Sequence, residues 1–118
     1  MSDTDRTERI RTLNDALRSY PWNGPRALGR TLLTAGVNGK GPAFVLRALN
    51  EVAGFNGFSA DNDPYGEHDF GSFELDGTKL FWKIDLYQKG SDFTAGAEEP
   101  DNPEVTDRVL TIMLAEDY

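Results

Sequence analysis

The chain predicts an α+β fold: two helices packed on one face of a small antiparallel sheet of about four strands, as a single domain over residues 1–118. Three observations carry this expectation. Two segments space their apolar residues at three and four, a hairpin signal separates two alternating runs, and the last apolar segment is rich in β-branched residues.

Residues 5–19 read as the first helix. Ile10, Leu13, Ala16 and Leu17 share one face, while Arg6, Arg9, Arg11 and Arg18 occupy the rest. Ser2, Thr4 or Asp5 can cap its start, and Pro21 forbids continuation before a turn at Trp22, Asn23, Gly24 and Pro25. Arg30-Thr-Leu-Leu-Thr-Ala35 reads as a short strand. The glycine-rich Gly36-Val-Asn-Gly-Lys-Gly41 leads into a second helix over residues 42–53. Pro42 suits its first position, Gly54 its C-terminal cap, and Val45, Ala48, Leu49 and Val52 its buried stripe.

The hairpin is the clearest local signal. Residues 70–75 and 78–88 flank Asp76-Gly77, a pair favoured in two-residue type I′ turns. Leu80, Trp82, Ile84 and Leu86 alternate with Lys79, Phe81, Lys83, Asp85 and Tyr87, so one face is core and the other mixed. An acidic loop follows over residues 89–103. For residues 106–115 the alternation of Leu110, Ile112 and Leu114 favours a strand that would give the hairpin a partner. The spacing of Val105, Val109 and Ile112 also suits a helix.

Composition bounds the class. A chain of 118 residues buries roughly 65% of its unfolded surface, enough for one core. There is no cysteine, so disulfides and thiolate metal sites are excluded, which fits a reducing compartment. The charged N-terminus is unlike a signal peptide, and no run approaches the ~20 apolar residues of a membrane span, so a cytoplasmic protein without membrane contact is expected.

Charge is unevenly distributed. Residues 1–53 hold eight Lys/Arg and five Asp/Glu, a balance of +3, whereas residues 54–118 hold four and fifteen, a balance of −11. Such a field repels phosphate backbones and argues against direct nucleic-acid binding by the later half. It would instead attract a basic surface, including one that normally holds DNA or RNA. Acidity also serves solubility alone.

Asp61-Asn-Asp-Pro-Tyr-Gly-Glu-His-Asp-Phe-Gly71 concentrates four carboxylates and the chain's one histidine. Oxygen and imidazole donors at that density could hold Mg²⁺, Mn²⁺ or Ca²⁺. Yet an EF-hand fails, because Tyr65 and Ser72 stand where ligands are required, and zinc would need three carboxylates beside one histidine. The plainer reading is a rigid turn built by Asp, Asn, Pro64 and Gly66 and anchored by Tyr65 and Phe70. His68, between Glu67 and Asp69, could act as an acid or base, but no nucleophile motif accompanies it. The glycine-rich link is not a P-loop. Thr34 stands where its first glycine belongs and Gly41 where Ser or Thr must follow Lys40, so a flexible connection is expected. Phe81, Tyr87 and Phe93 would form an exposed aromatic patch unless the first helix or a long loop covers that face.

The run from Asp61 to Leu75, then Phe81-Trp-Lys-Ile-Asp85, then Arg108-Val-Leu-Thr-Ile-Met-Leu-Ala115 strongly resembles a bacterial family catalogued as domain of unknown function 3768. The resemblance covers most of the chain from Leu33 onward. It implies no established activity. It does imply short stand-alone proteins of proteobacteria, often carried on plasmids and other mobile elements, a setting of conflict between mobile DNA and host defence.

Residues and resemblance together lead to an acidic, non-enzymatic interaction module without a cofactor. Its expected partner is a host protein or ribonucleoprotein with a basic surface, as for an inhibitor of the anti-CRISPR or anti-restriction type. Asp61, Asp63, Tyr65, Glu67, Asp69, Phe93, Glu98, Glu99 and Asp101 are the expected contacts. Two alternatives stand beside it. One is a metal-dependent enzyme using the loop of residues 61–69, with Asp61, Asp63 and Asp69 as ligands and His68 as acid/base. The other is a toxin-neutralising partner.

Overall fold

The structure is a computed structural model that describes residues 3–20 and 28–118. Its elements run α1 (Asp3–Ser19), β1 (Gly29–Leu33), α2 (Ala35–Asn38), α3 (Pro42–Ala53), β2 (Phe70–Leu75), β3 (Thr78–Gln88) and β4 (Thr106–Leu114), then a short 3₁₀ turn (Ala115–Asp117). The expected cap at Ser2, the stop at Pro21 and the turn at Trp22–Pro25 lie outside the described residues.

The strands order as β1-β4-β3-β2. β2 and β3 pair antiparallel, as do β3 and β4, but β1 runs parallel to β4. The sheet is therefore mixed, not antiparallel throughout as expected. The alternation within β1 said nothing about its partner. The long crossover through α2, α3 and the hairpin returns the chain to β4 in the same direction as β1, the usual need of a parallel pair.

The hairpin forms as read, with Asp76 at φ 52° and Gly77 at φ 78°, the positive pair that a type I′ turn requires. Residues 106–114 are strand, as the alternation of Leu110, Ile112 and Leu114 favours. Leu80, Trp82 and Ile84 of β3 face Leu114, Ile112 and Leu110 of β4, and Leu17, Val37, Ala48 and Val52 from the helices close over them.

The chain leaves β1 earlier than expected. Thr34 caps α2, its hydroxyl accepting from the Val37 amide at 3.4 Å, and Val37 is wholly buried. The glycine-rich link is thus a short helix pinned by one apolar side chain, not a loose connection. Threonine competes for the local amide and valine supplies the anchor, so the strand pattern ends at Leu33.

Two glycines are fixed by close approach. A Cβ on Gly29 would sit 2.0 Å from the Arg108 carbonyl oxygen, and one on Gly71 would sit 2.4 Å from the Trp82 indole nitrogen. Gly71 is what lets the Trp82 ring approach β2 closely, where Phe55 and Phe58 meet the ring edge-on at 5.5 and 6.1 Å.

Candidate functional site

The face of α1 that meets the sheet is not purely apolar. Ile10 and Leu17 are buried, but Asn14 between them is buried too, and so is Arg18. Opposite them, Arg108 occupies the core face of β4, at 0% exposure, in line with Leu110 and Ile112.

These polar groups form one chain of contacts. The Asn14 Nδ2 donates to the Glu67 carbonyl at 3.0 Å, and Arg108 Nε donates to Asn14 Oδ1 at 3.0 Å. Arg108 Nη2 donates in turn to the Pro100 carbonyl. Glu67 belongs to one acidic loop and Pro100 to the other, so Asn14 and Arg108 tie both loops to α1 from beneath. Arg108 Nη1 has no hydrogen-bond partner. Burial pushes the Arg108 guanidinium down to about 10, while Asp101 and Glu67, one from each loop, favour its charge.

Further contacts fix the first loop, residues 57–69. Asn62 bonds back to the Ser59 amide and the Gly57 carbonyl, and Asp63 accepts from the His68 amide at 3.1 Å. His68, at φ 54°, stacks on Phe58 with ring centroids 3.7 Å apart, and its Nδ1 lies 3.0 Å from Asp15 of α1. Arg18 bonds to Asp15, sits over the rings of Phe58 and Trp82, and donates to the Val52 and Phe55 carbonyls at the end of α3. A cation at a helix C-terminus is well placed for those carbonyls.

The second loop, residues 89–105, is held as firmly. Thr106, fully buried, donates its hydroxyl to the Glu99 carbonyl at 2.7 Å, and the Gln88 side chain accepts from the Glu98 amide. From α1, Arg6 donates to the Glu98 carbonyl and pairs with Asp101 at 3.4 Å.

The expected contact residues separate into three groups. Asp61, Tyr65, Glu98 and Glu99 are exposed, Tyr65 at 79%. Asp63 is buried, Glu67 and Asp69 are half-buried, and Asp101 is half-buried against Arg6, so these four carboxylates serve the fold as well. Burial raises the carboxyl groups of Glu67 and Asp69 above their ordinary values, with nearby carboxylates adding to it. Phe93 lies elsewhere, on the sheet face away from the helices, packed edge-on against Tyr87 at 5.6 Å.

The turn reading of residues 61–69 holds, with two corrections. Tyr65 does not anchor the loop, and Phe70 points to the other face of the sheet, against Phe81. Phe58 and His68 do the anchoring. Among the described residues no three His, Cys, Asp or Glu side chains converge as a metal would require. Asp63 and Asp15 are both engaged with His68 instead.

Asn14, Asp15, Arg18 and Arg108 were missed as a group. Their positions were nevertheless visible. Asn14 falls four after Ile10 and three before Leu17, and Arg108 two before Leu110, so periodicity alone puts both toward the core.

The family described as "Protein of unknown function (DUF3768)" matches residues 33–117, and the chain belongs to it. The match takes in Arg108 and both acidic loops but begins only at Leu33, the last residue of β1, and so leaves out α1. No curated protein and no solved structure gives a significant match.

Proposed function

We propose that this protein is an acidic interaction module whose recognition surface is the pair of loops clasped to α1. The observation that carries the reading is the Glu67–Asn14–Arg108–Pro100 relay. It spends a buried cation and a buried amide on holding two carboxylate-bearing loops in one arrangement. A chain acidic only for solubility needs no such device. With the loops fixed, Asp61, Glu98 and Glu99 stay exposed, and Glu104 is exposed nearby on the second loop. Binding then loses little loop entropy, and the charge steers a basic partner toward a defined surface. Tyr65 offers an aromatic contact of the kind that supplies affinity where charge supplies direction.

The partner that suits this chemistry is a protein or ribonucleoprotein with a basic, nucleic-acid-binding surface. An inhibitor of a defence complex, occupying the place of DNA or RNA, is the specific form we favour. A dedicated toxin as partner would use the same surface.

The test is affinity purification of the tagged protein from its own host at low and moderate salt. A Glu98→Lys/Glu99→Lys variant and a Glu74→Lys variant, whose changed residue lies on β2, run in parallel. The expected result is recovery of a nucleic-acid-binding complex by the wild type and by Glu74→Lys, loss with the double variant, and competition by the complex's own nucleic acid. Equal recovery by the double variant, or no such complex at either salt, refutes the reading.

A further inference from the structure

The face of the sheet away from the helices carries a second, separate feature. β1, β4 and β3 present their outward side chains there in cross-strand rows, because the pairing registers fix which residues lie side by side. Arg30, Val109 and Asp85 make one row, and Leu32, Thr111 and Lys83 the next. Met113 and Phe81 make a third, which Thr34 borders. At neighbouring strands ~4.8 Å apart and ~6.6 Å between rows, the three rows span about 10 by 13 Å. A groove of about 700 Å³ lies over them, within the range of small-molecule sites.

The two ends of the groove are walled by aromatic residues. Tyr87 and Phe93 stand at the first row, and Tyr118, at 5.4 Å from the Phe81 ring, stands at the third. The floor between is apolar at Val109 and Met113 and polar at Thr111.

The charges distinguish the ends. Lys83 and Asp85 neutralise each other at 3.1 Å. Asp117, at the third row, is turned to the Thr34 hydroxyl at 2.7 Å and the Leu114 amide at 3.1 Å. Arg30, at the first row, makes no ion pair among the described residues, and its guanidinium lies 4.6 Å over the Phe93 ring. In a protein of net charge −8, a guanidinium without an ion pair among the described residues, set over an aromatic ring at the mouth of an apolar groove, is conspicuous.

We propose that this groove binds a small aromatic carboxylate. Its carboxylate meets the Arg30 fork, for which guanidinium geometry is suited, and its flat body lies over Val109, Thr111 and Met113 toward Tyr118. Asp117 repels an anion from the opposite end and so sets the orientation. This site is on the other side of the sheet from the acidic loops, and it stands or falls independently of the interaction reading.

The test uses 2-naphthoate and its neutral counterpart 2-naphthamide, titrated into the full chain and followed by amide chemical shifts. The expected result is saturable binding of 2-naphthoate with shifts confined to β1 and Thr34, the outward positions of β3 and β4, Phe93, Asp117 and Tyr118. The amide should bind more weakly. Arg30→Gln, an exposed substitution whose fold is checked by circular dichroism, should weaken 2-naphthoate about tenfold, as expected for one charge-assisted contact, and leave 2-naphthamide unchanged. No saturable binding, shifts that map elsewhere, or equal affinity of wild type and Arg30→Gln for the carboxylate would overturn the proposal.

Discussion

Replacing Asn14 by alanine isolates the relay on which the two acidic loops depend. The substitution leaves α1 a better helix former, by a few tenths of a kcal/mol, so any destabilisation comes from lost contacts. Two hydrogen bonds disappear. The bond from Arg108 Nε is charge-assisted and contributes about 1.5–3 kcal/mol, and the bond to the Glu67 carbonyl about 1 kcal/mol. The remaining partners are not released to water. Arg108 is fully buried and already has Nη1 without a partner, so Nε becomes a second unsatisfied donor on one guanidinium. The expected loss is about 3 kcal/mol, which for a domain of this size lowers Tm by roughly 12 °C. Because Asn14 lies in contact with Arg108, the Asn14→Ala and Arg108→Met effects should not add. A double-variant cycle read by urea denaturation should return a coupling of about 1.5–3 kcal/mol. Asn14→Asp is the informative control: it keeps an acceptor and adds a compensating charge for Arg108, but turns an acceptor in place of the donor toward the Glu67 carbonyl. If Asn14→Ala costs less than about 1 kcal/mol, or the two variants add, the relay does not organise the loops and the preorganised surface loses its basis.

Two further outcomes follow from the same packing. Gly71→Ala places a methyl group 2.4 Å from the Trp82 indole nitrogen and 2.8 Å from Phe55, so it should cost about 1–3 kcal/mol by chemical denaturation and red-shift tryptophan emission; wild-type stability would refute the close approach. Glu67→Gln should have a pH-dependent effect. Burial raises the Glu67 carboxyl above its ordinary 4.5, so the folded state binds its proton more tightly than the unfolded one. That contribution is fully present below 4.5 and is lost as pH rises through the raised value. Melting curves should therefore show Glu67→Gln more stable than wild type at pH 7, with the advantage vanishing toward pH 4, and a pH-independent difference would refute the assignment.

Much of the fold was legible because its strongest signals are local. Asp76-Gly77 fixes a hairpin regardless of what surrounds it, and Pro42 and the apolar stripe to Val52 fix α3. The last strand could be read from Leu110, Ile112 and Leu114. What was not legible is partnership. The direction of β1 relative to β4 depends on where a long crossover returns, and five residues of strand carry no record of it. The short α2 was hidden because its glycines outnumber its one anchor, Val37. At the site, residue type misled where position would not have. Arginine is usually exposed, so residue type puts Arg18 and Arg108 in solvent, whereas their spacing places them inward.

That misreading bears on the electrostatics directly. A balance of −11 over residues 54–118 suggests a uniformly acidic surface, yet the fold draws part of that charge inward. Asp101 meets Arg6, Asp63 meets His68, and Glu67 and Asp101 together favour the charge on Arg108. Acidic residues here therefore do two different jobs. Those turned inward lie against the side chains that hold the loops, Arg6, His68 and Arg108, and those turned outward are left to solvent because their backbones, not their carboxylates, make the structural contacts. Glu98 and Glu99 show the division most plainly: the Glu98 carbonyl accepts from Arg6 and the Glu99 carbonyl from Thr106, while both side chains are left to solvent. A surface built this way can tolerate charge reversal at Glu98 and Glu99 without unfolding. Loss of binding in that double variant can therefore be assigned to the surface and not to the fold.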